Sequence, residues 1–221
     1  MLAVTYSATL QGVKAVSVTV EANSGEKGEP RCILVGLPDA AVKESMDRVK
    51  SSLINNGYGG PRTRVTINLA PADLKKEGSS FDLPIALTLL ASMGKFQSRE
   101  LNDYLIAGEL GLSGEVRAVR GGLTMALLAK EVGKRGLLLP RASAEEACLV
   151  EGVKVYPLDS LAEAIAFFEN PDKPEALSKS QSPFRLKSLN RTKIDFSEVK
   201  GQANLRRAVE VAVAGRHNII F

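Results

Sequence analysis

The sequence predicts a mixed α/β fold, and three observations carry that expectation. Apolar residues recur with period two in short runs and at helical spacing in longer ones. The two patterns alternate along most of the chain. A hairpin near the start means that the sheet cannot be purely parallel. Segments 3–9 and 13–22 are β-rich around Gln11-Gly12, and Val16, Val18 and Val20 alternate with Ser17 and Thr19. The 221 residues, 44% hydrophobic and 24% charged, suffice for one sizeable domain and part of another.

The remaining elements follow in order. A short strand at 32–35 runs into Gly36-Leu37-Pro38-Asp39, where an aspartate before an amphipathic stretch signals a helix start. That helix spans 40–55 and closes at Asn56-Gly57. Val65, Ile67 and Leu69 alternate in the next strand, over 64–69. A helix at 81–93 follows, with Pro84 in a first turn that needs no N–H donor. Strands at 105–110 and 115–119 flank the turn Ser113-Gly114. Helices at 123–132, 142–149 and 161–168 alternate with strands at 137–139 and 154–156.

Residues 170–194 lose this periodicity and gain Pro, Ser and Lys, the composition of a linker, with Lys179, Arg185, Lys187, Arg191 and Lys193 as its cations. Helical spacing returns at Leu205, Ala208, Val209 and Val213, ends at Gly215, and gives way to an apolar strand from Asn218. One helix and half a strand cannot bury a core, so the chain is expected to stop inside its next domain.

Composition excludes several classes of function. No run approaches the ~18 apolar residues of a membrane span, and the N-terminus lacks a signal sequence, so a cytoplasmic location is expected. Cys32 and Cys148 sit in apolar segments and read as core thiols. With His217 as the single histidine and no cysteine pair at ligand spacing, no metal site is expected. Gly108, Gly111 and Gly114 imitate a nucleotide loop, but the run joins strand to strand and reads as a glycine-rich hairpin. Asp39, Glu44 and Asp47, with Lys43, Arg48 and Lys50, read as a solvated helix face. The net charge of +4 is compatible with an anionic partner.

The segment VKGQANLRRAVEVAVAGRHNIIF resembles the entrance to the ATPase module of magnesium-chelatase-like AAA+ proteins. In those proteins the strand leads into a phosphate-binding loop, G-x-x-x-x-G-K-[ST]. No stretch matches that loop, so no ATP binding by that route is expected within these residues. With Gly36-Leu37-Pro38-Asp39-Ala40, Asn68-Leu69-Ala70-Pro71-Ala72-Asp73 and Gly78-Ser79-Ser80-Phe81-Asp82-Leu83-Pro84, the whole chain resembles the ComM/YifB family. The resemblance implies a domain over 1–169 similar to the Lon protease domain, of the ribosomal S5 domain 2-like fold. The linker at 170–194 and the start of an AAA+ domain at 195–221 follow. It further implies a parent that uses ATP and Mg, forms a hexameric ring, and translocates DNA as a branch-migration helicase in bacterial natural transformation and recombination.

In Lon-type peptidases a Gly-x-Ser turn supplies the nucleophile and a Gly-Gly-Leu-Lys helix the base. Gly78-Ser79-Ser80 matches the first and places Ser80 at the nucleophile position. Arg120-Gly121-Gly122-Leu123-Thr124 matches the second except that Thr124 replaces the lysine. A serine hydroxyl without an adjacent base is inert at neutral pH; Lys75, Lys76 and Lys130 are the lysines near enough in sequence to weigh as substitutes. The serines are therefore expected to start a helix, with Ser79-x-x-Asp82 as a capping box, and no enzymatic activity is expected of these residues themselves. Arg62, Arg64, Lys75, Lys76, Arg117 and Arg120 are the candidate DNA-binding cations, since the implied fold gathers their loops around the position of the missing lysine. Two further readings are a cryptic serine peptidase and an ATPase partner of a metal chelatase.

Overall fold

The structure, a computed structural model, describes residues 1–26, 28–96, 100–179 and 198–220. Seven strands form the main sheet: β1 (Leu2–Gln11), β2 (Lys14–Glu26), β3 (Cys32–Val35), β4 (Arg64–Ala70), β5 (Tyr104–Ile106), β8 (Gly136–Pro140) and β9 (Lys154–Leu158). Their order across it is β3-β4-β2-β1-β5-β8-β9. The predicted hairpin is the centre of the sheet: β1 and β2 pair antiparallel from Leu2↔Asn23 to Gln11↔Lys14. β4 pairs antiparallel with β2 on its far side, and the other four pairings are parallel. β2 alone therefore runs against the rest. The carboxyl ends of β1, β3, β4 and β5 open at one edge, where open α/β sheets bind ligands.

Period-two alternation sorts the side chains between two cores. Tyr104, Ile106, Leu138, Tyr156 and Leu158 point to the face covered by α1 (Ala40–Asn55), α2 (Asp82–Ser92) and α5 (Leu161–Glu169). Leu105, Ala107, Leu137, Leu139 and Val155 point to the other, under α3 (Gly122–Glu131) and α4 (Arg141–Ala147). α2 is buried along its whole length. Thr88 in α2 shares a 2.7 Å hydrogen bond with Thr5 of β1, so even the polar positions at this contact are matched in part.

α1 has the predicted ends. Asp39 accepts the Val42 N–H at 2.8 Å and Asn56 closes the last turn. The expected strand at 105–110 divides instead. After β5 the Gly108 N–H bonds to Ser80 O at 2.9 Å, and the chain leaves the main sheet for the small antiparallel pair β6 (Glu109–Leu110) and β7 (Val116–Arg117). The glycine-rich segment is thus the expected hairpin, although β7 is shorter than the 115–119 run. Cys148 is buried, whereas Cys32 is only half-buried, because β3 lies at the sheet edge.

The first part of the predicted linker packs onto the domain. The Leu177 N–H bonds to Val155 O at 2.8 Å along β9, and Lys173 pairs with Glu100 at 2.8 Å. Of the linker cations, Lys179 pairs with Glu151 at 3.2 Å; Arg185, Lys187, Arg191 and Lys193 lie outside the described residues. Residues 185–221 form a separate unit, whose described part is the helix α6 (Ala203–Ala214) and the residues flanking it. Asn218, Ile219 and Ile220 make no strand and are exposed, since a strand needs a partner for its backbone groups. His217 is exposed beside it rather than opening a strand. No helix among the described residues is long and apolar enough to cross a membrane.

Gly36 joins β3 to the loop that carries Asp39. Its φ is +102°, and a Cβ would lie 2.1 Å from Leu69 O. Both the backbone conformation and the close approach exclude a side chain. Gly36→Ala is expected to cost more than about 2 kcal/mol in urea unfolding, whereas Gly12→Ala, with open space around its Cβ, costs about 1 kcal/mol.

Candidate functional site

A cleft of about 590 Å³ lies at the carboxyl ends of the parallel strands. Thr9 and Leu10 reach it from the end of β1, Asp39 from the turn after β3, and Glu77–Ser80 from the loop after β4. Glu109 comes from β6, Ala118–Arg120 from the turn before α3, and Met125 from α3 itself. Ser80 and the loop before Thr124 line one cleft, whereas Thr124 itself is not among the lining residues described.

The start of α2 departs from the capping box. Gly78 opens a 3₁₀ turn at Ser79–Phe81, and α2 begins only at Asp82. The Ser79 hydroxyl donates to the Glu109 carboxylate and caps no backbone N–H. Asp82 is fully buried and turns to α1. It accepts from the Ser45 hydroxyl, from Arg48 Nε at 2.7 Å and from the Leu110 N–H at 3.2 Å. Arg48 therefore belongs to an interior ion pair and not to the solvated face expected for α1. Burial pushes the Asp82 carboxyl above its usual range, against the opposing pull of Arg48 and Ser45. Its hydrogen bond in turn raises the Arg48 guanidinium.

The three lysines that could stand in for a base all point elsewhere. Lys75 Nζ pairs with Glu77 at 2.7 Å, which raises its pKa. Lys76 is fully buried, and its ammonium donates to Pro71 O; burial lowers its pKa. Lys130 Nζ bonds to Glu151 O at 2.7 Å. Thr124 Oγ1 bonds to Gly121 O at 2.9 Å, inside its own turn.

The candidate DNA-binding cations separate into two places. Arg120 lines the cleft and Lys75 neighbours it, but the cleft's own lining carries Asp39, Glu77 and Glu109. Arg117 is held by Glu115, with its Nε at 2.7 Å, and lies 3.8 Å from Glu109. Lys76 is a correction: a buried ammonium under the Pro38–Lys76 bridge cannot meet a phosphate. Arg62 instead lines a groove of about 390 Å³ at the opposite end of the β1–β2 ladder, with Arg64 entering β4 two residues on. Ser24, Tyr58, Gly59, Gly60, Thr63 and Lys95 share that lining, which includes no carboxylate among the described residues. Sequence reasoning misses Lys95, which follows α2 some thirty residues from Arg62. Among the described residues no cluster of three His, Cys, Asp or Glu side chains could hold a metal ion.

The buried charges make two outcomes measurable. Arg48→Met leaves Asp82 unpaired and is expected to cost about 3–5 kcal/mol at pH 7. A raised folded-state pKa means that the folded protein holds the proton over a wider range, so this deficit narrows as pH falls and Asp82 becomes neutral. Urea titrations at pH 7 and pH 5 measure both. Lys76→Met, which keeps the buried stem, is expected to shift stability by less than about 1.5 kcal/mol. Lys76→Glu, which buries an unpaired acid, is expected to cost more than about 3 kcal/mol.

The chain matches two family models, one described as subunit ChlI of Mg-chelatase over residues 20–143 and one as magnesium chelatase, subunit ChlI, over 195–221. Competence protein ComM of Haemophilus influenzae is 37% identical over 220 residues, covering 100% of this chain and 43% of ComM. The uncharacterized protein YifB of Escherichia coli is 36% identical over 220 residues, 100% of this chain and 42% of YifB. An archaeal Lon protease from Thermococcus kodakarensis is 24% identical over 168 residues, 72% of this chain and 26% of the protease. The chain thus spans less than half the length of the two bacterial relatives, and its mixed α/β domain agrees with the Lon-like fold. With the ChlI match alone covering more than half of its residues, the chain belongs to the ComM/YifB family of magnesium-chelatase-like AAA+ proteins.

Proposed function

We propose that this region is the non-proteolytic N-terminal module of a ring-forming, ATP-driven DNA translocase, and that it meets the DNA backbone through the groove at Arg62 and Lys95. The observation that carries the DNA contact is that groove: two exposed cations with hydroxyls and glycine backbone around them, and no carboxylate among the described residues of the lining. Such a surface attracts phosphates without reading sequence, and its affinity depends steeply on salt. The name of the Haemophilus relative, a competence protein, supports a place in natural transformation. ATP hydrolysis and ring closure belong, in this reading, to the module that begins with residues 195–221.

Absence of proteolysis is supported by the engagement of Lys75 with the Glu77 carboxylate and of Lys76 and Lys130 with backbone carbonyls, which leaves Ser80 without a lysine base among the described residues. Ring assembly and DNA contact are compatible roles for one module.

Fluorescence anisotropy with labelled duplex DNA, titrated across salt, tests the contact. Arg62→Ala with Lys95→Ala is expected to weaken binding and to reduce the slope of log affinity against log salt by about 1 for each phosphate no longer neutralised. Lys75→Glu, outside the groove, is expected to leave the slope unchanged. A double variant that binds like the parent chain would refute the assignment of the groove.

A further inference from the structure

The cleft at the opposite end of the sheet has the reverse electrostatic character, and the DNA reading does not use it. Among the described residues, Asp39, Glu77 and Glu109 line it against one cation, Arg120, and no lysine contributes to its wall. Two of the carboxylates keep capacity for another donor. Glu109 takes the Ser79 hydroxyl on one oxygen, while the other lies 3.8 Å from Arg117. Glu77 pairs with the exposed Lys75. A carboxylate offers about four lone-pair sites, so these contacts leave several open.

An independent observation comes from Thr9. Its residue is 2% exposed, it lines the cleft, and its Oγ1 has no hydrogen-bond partner among the described residues. A buried hydroxyl without a partner is costly and uncommon in a folded protein. A ligand donor arriving in the cleft satisfies it.

We propose that this cleft binds an alkylammonium group, presented either by a lysine side chain of a peptide or by a free polyamine. An ammonium carries three donors in a compact tetrahedral arrangement. That arrangement suits acceptors spread over Thr9, Ser80 and Glu109. Leu10 and Met125 supply apolar wall for the methylene stem. Anions are disfavoured by the three carboxylates, and a metal ion by the lack of a ligating cluster among the described residues.

Calorimetric and NMR titrations of the 221-residue chain with Nα-acetyl-lysine methylamide, its norleucine counterpart and spermidine test the proposal. The expected result is saturable binding of at least one amine, none of the norleucine amide, and weakening when NaCl rises from about 50 to about 500 mM. Glu109→Gln is expected to weaken binding at least tenfold and Thr9→Val severalfold, with Thr9→Ser restoring it. Glu151→Gln, remote in a pair with Lys179, is expected to change nothing. Tighter binding of the lysine amide assigns a peptide side chain, and tighter binding of spermidine a polyamine. Absence of saturable binding by either amine overturns the proposal. So does binding that stays within twofold of the parent in both Glu109→Gln and Thr9→Val, provided that urea midpoints show these variants folded.

Discussion

The interior contact between Arg48 and Asp82 holds the functional edge of this domain together. Asp82 is the first residue of α2, yet it binds two side chains of α1 and a backbone N–H of β6. Three elements far apart in sequence therefore share one carboxylate. Isolated burial of that charge would be prohibitive, and the multiple donors make it tolerable. The consequence is positional. With Asp82 drawn inward, the preceding turn cannot cap α2 in the ordinary way, and Ser79 is left facing Glu109 across the cleft. The Gly108 N–H to Ser80 O and Leu83 N–H to Gly108 O bonds, at 2.9 and 3.0 Å, fasten the same turn to the end of β5. The cleft's serine side is held by these contacts.

The sheet then separates two electrostatic environments. β1 and β2 run together through ten paired positions, which at about 3.4 Å per residue places the two ends some 30 Å apart. Beyond a Debye length of about 8–10 Å charges on exposed groups are largely screened from one another. An acidic cleft and a basic groove can thus coexist on a chain whose net charge is only +4. The cations around the cleft are mostly engaged locally: Lys75 with Glu77 and Arg117 with Glu115. This is why clustering of basic residues in sequence does not translate into a basic surface at that edge, and why the Arg62 end provides it.

Much of the architecture is legible in the residues themselves, because the signals involved are local. Asp39 caps the helix that begins next to it, and Asn56-Gly57 ends the same helix. Val65, Ile67 and Leu69 alternate because β4 has one buried face. The Gln11-Gly12 turn predicts the central hairpin, and the positions around Gly78 and Gly121 that the family resemblance brings together do line one cleft. The bounds of α1, the alternation of β4 and the hairpin rest on contacts within a few residues, and the resemblance supplied the meeting of the two loops.

Other features depend on partners that no local pattern announces. Ser79-x-x-Asp82 has the spacing of a capping box, but Arg48, thirty-four residues earlier, competes successfully for the aspartate. Lys76 follows Lys75 in sequence, yet one side chain is exposed and the other buried against Pro71 O, because the loop bridges to Pro38 between them and the core. Residue order alone specifies an α/β domain of the ComM/YifB family with a serine turn and no lysine to match it. The charge of the cleft and the place of the basic groove emerge only on folding, since electrostatic character depends on which side chains meet in space. Asp39 and Glu77 from two loops converge with Glu109 of β6, and Arg62 shares one groove with Lys95 beyond the end of α2.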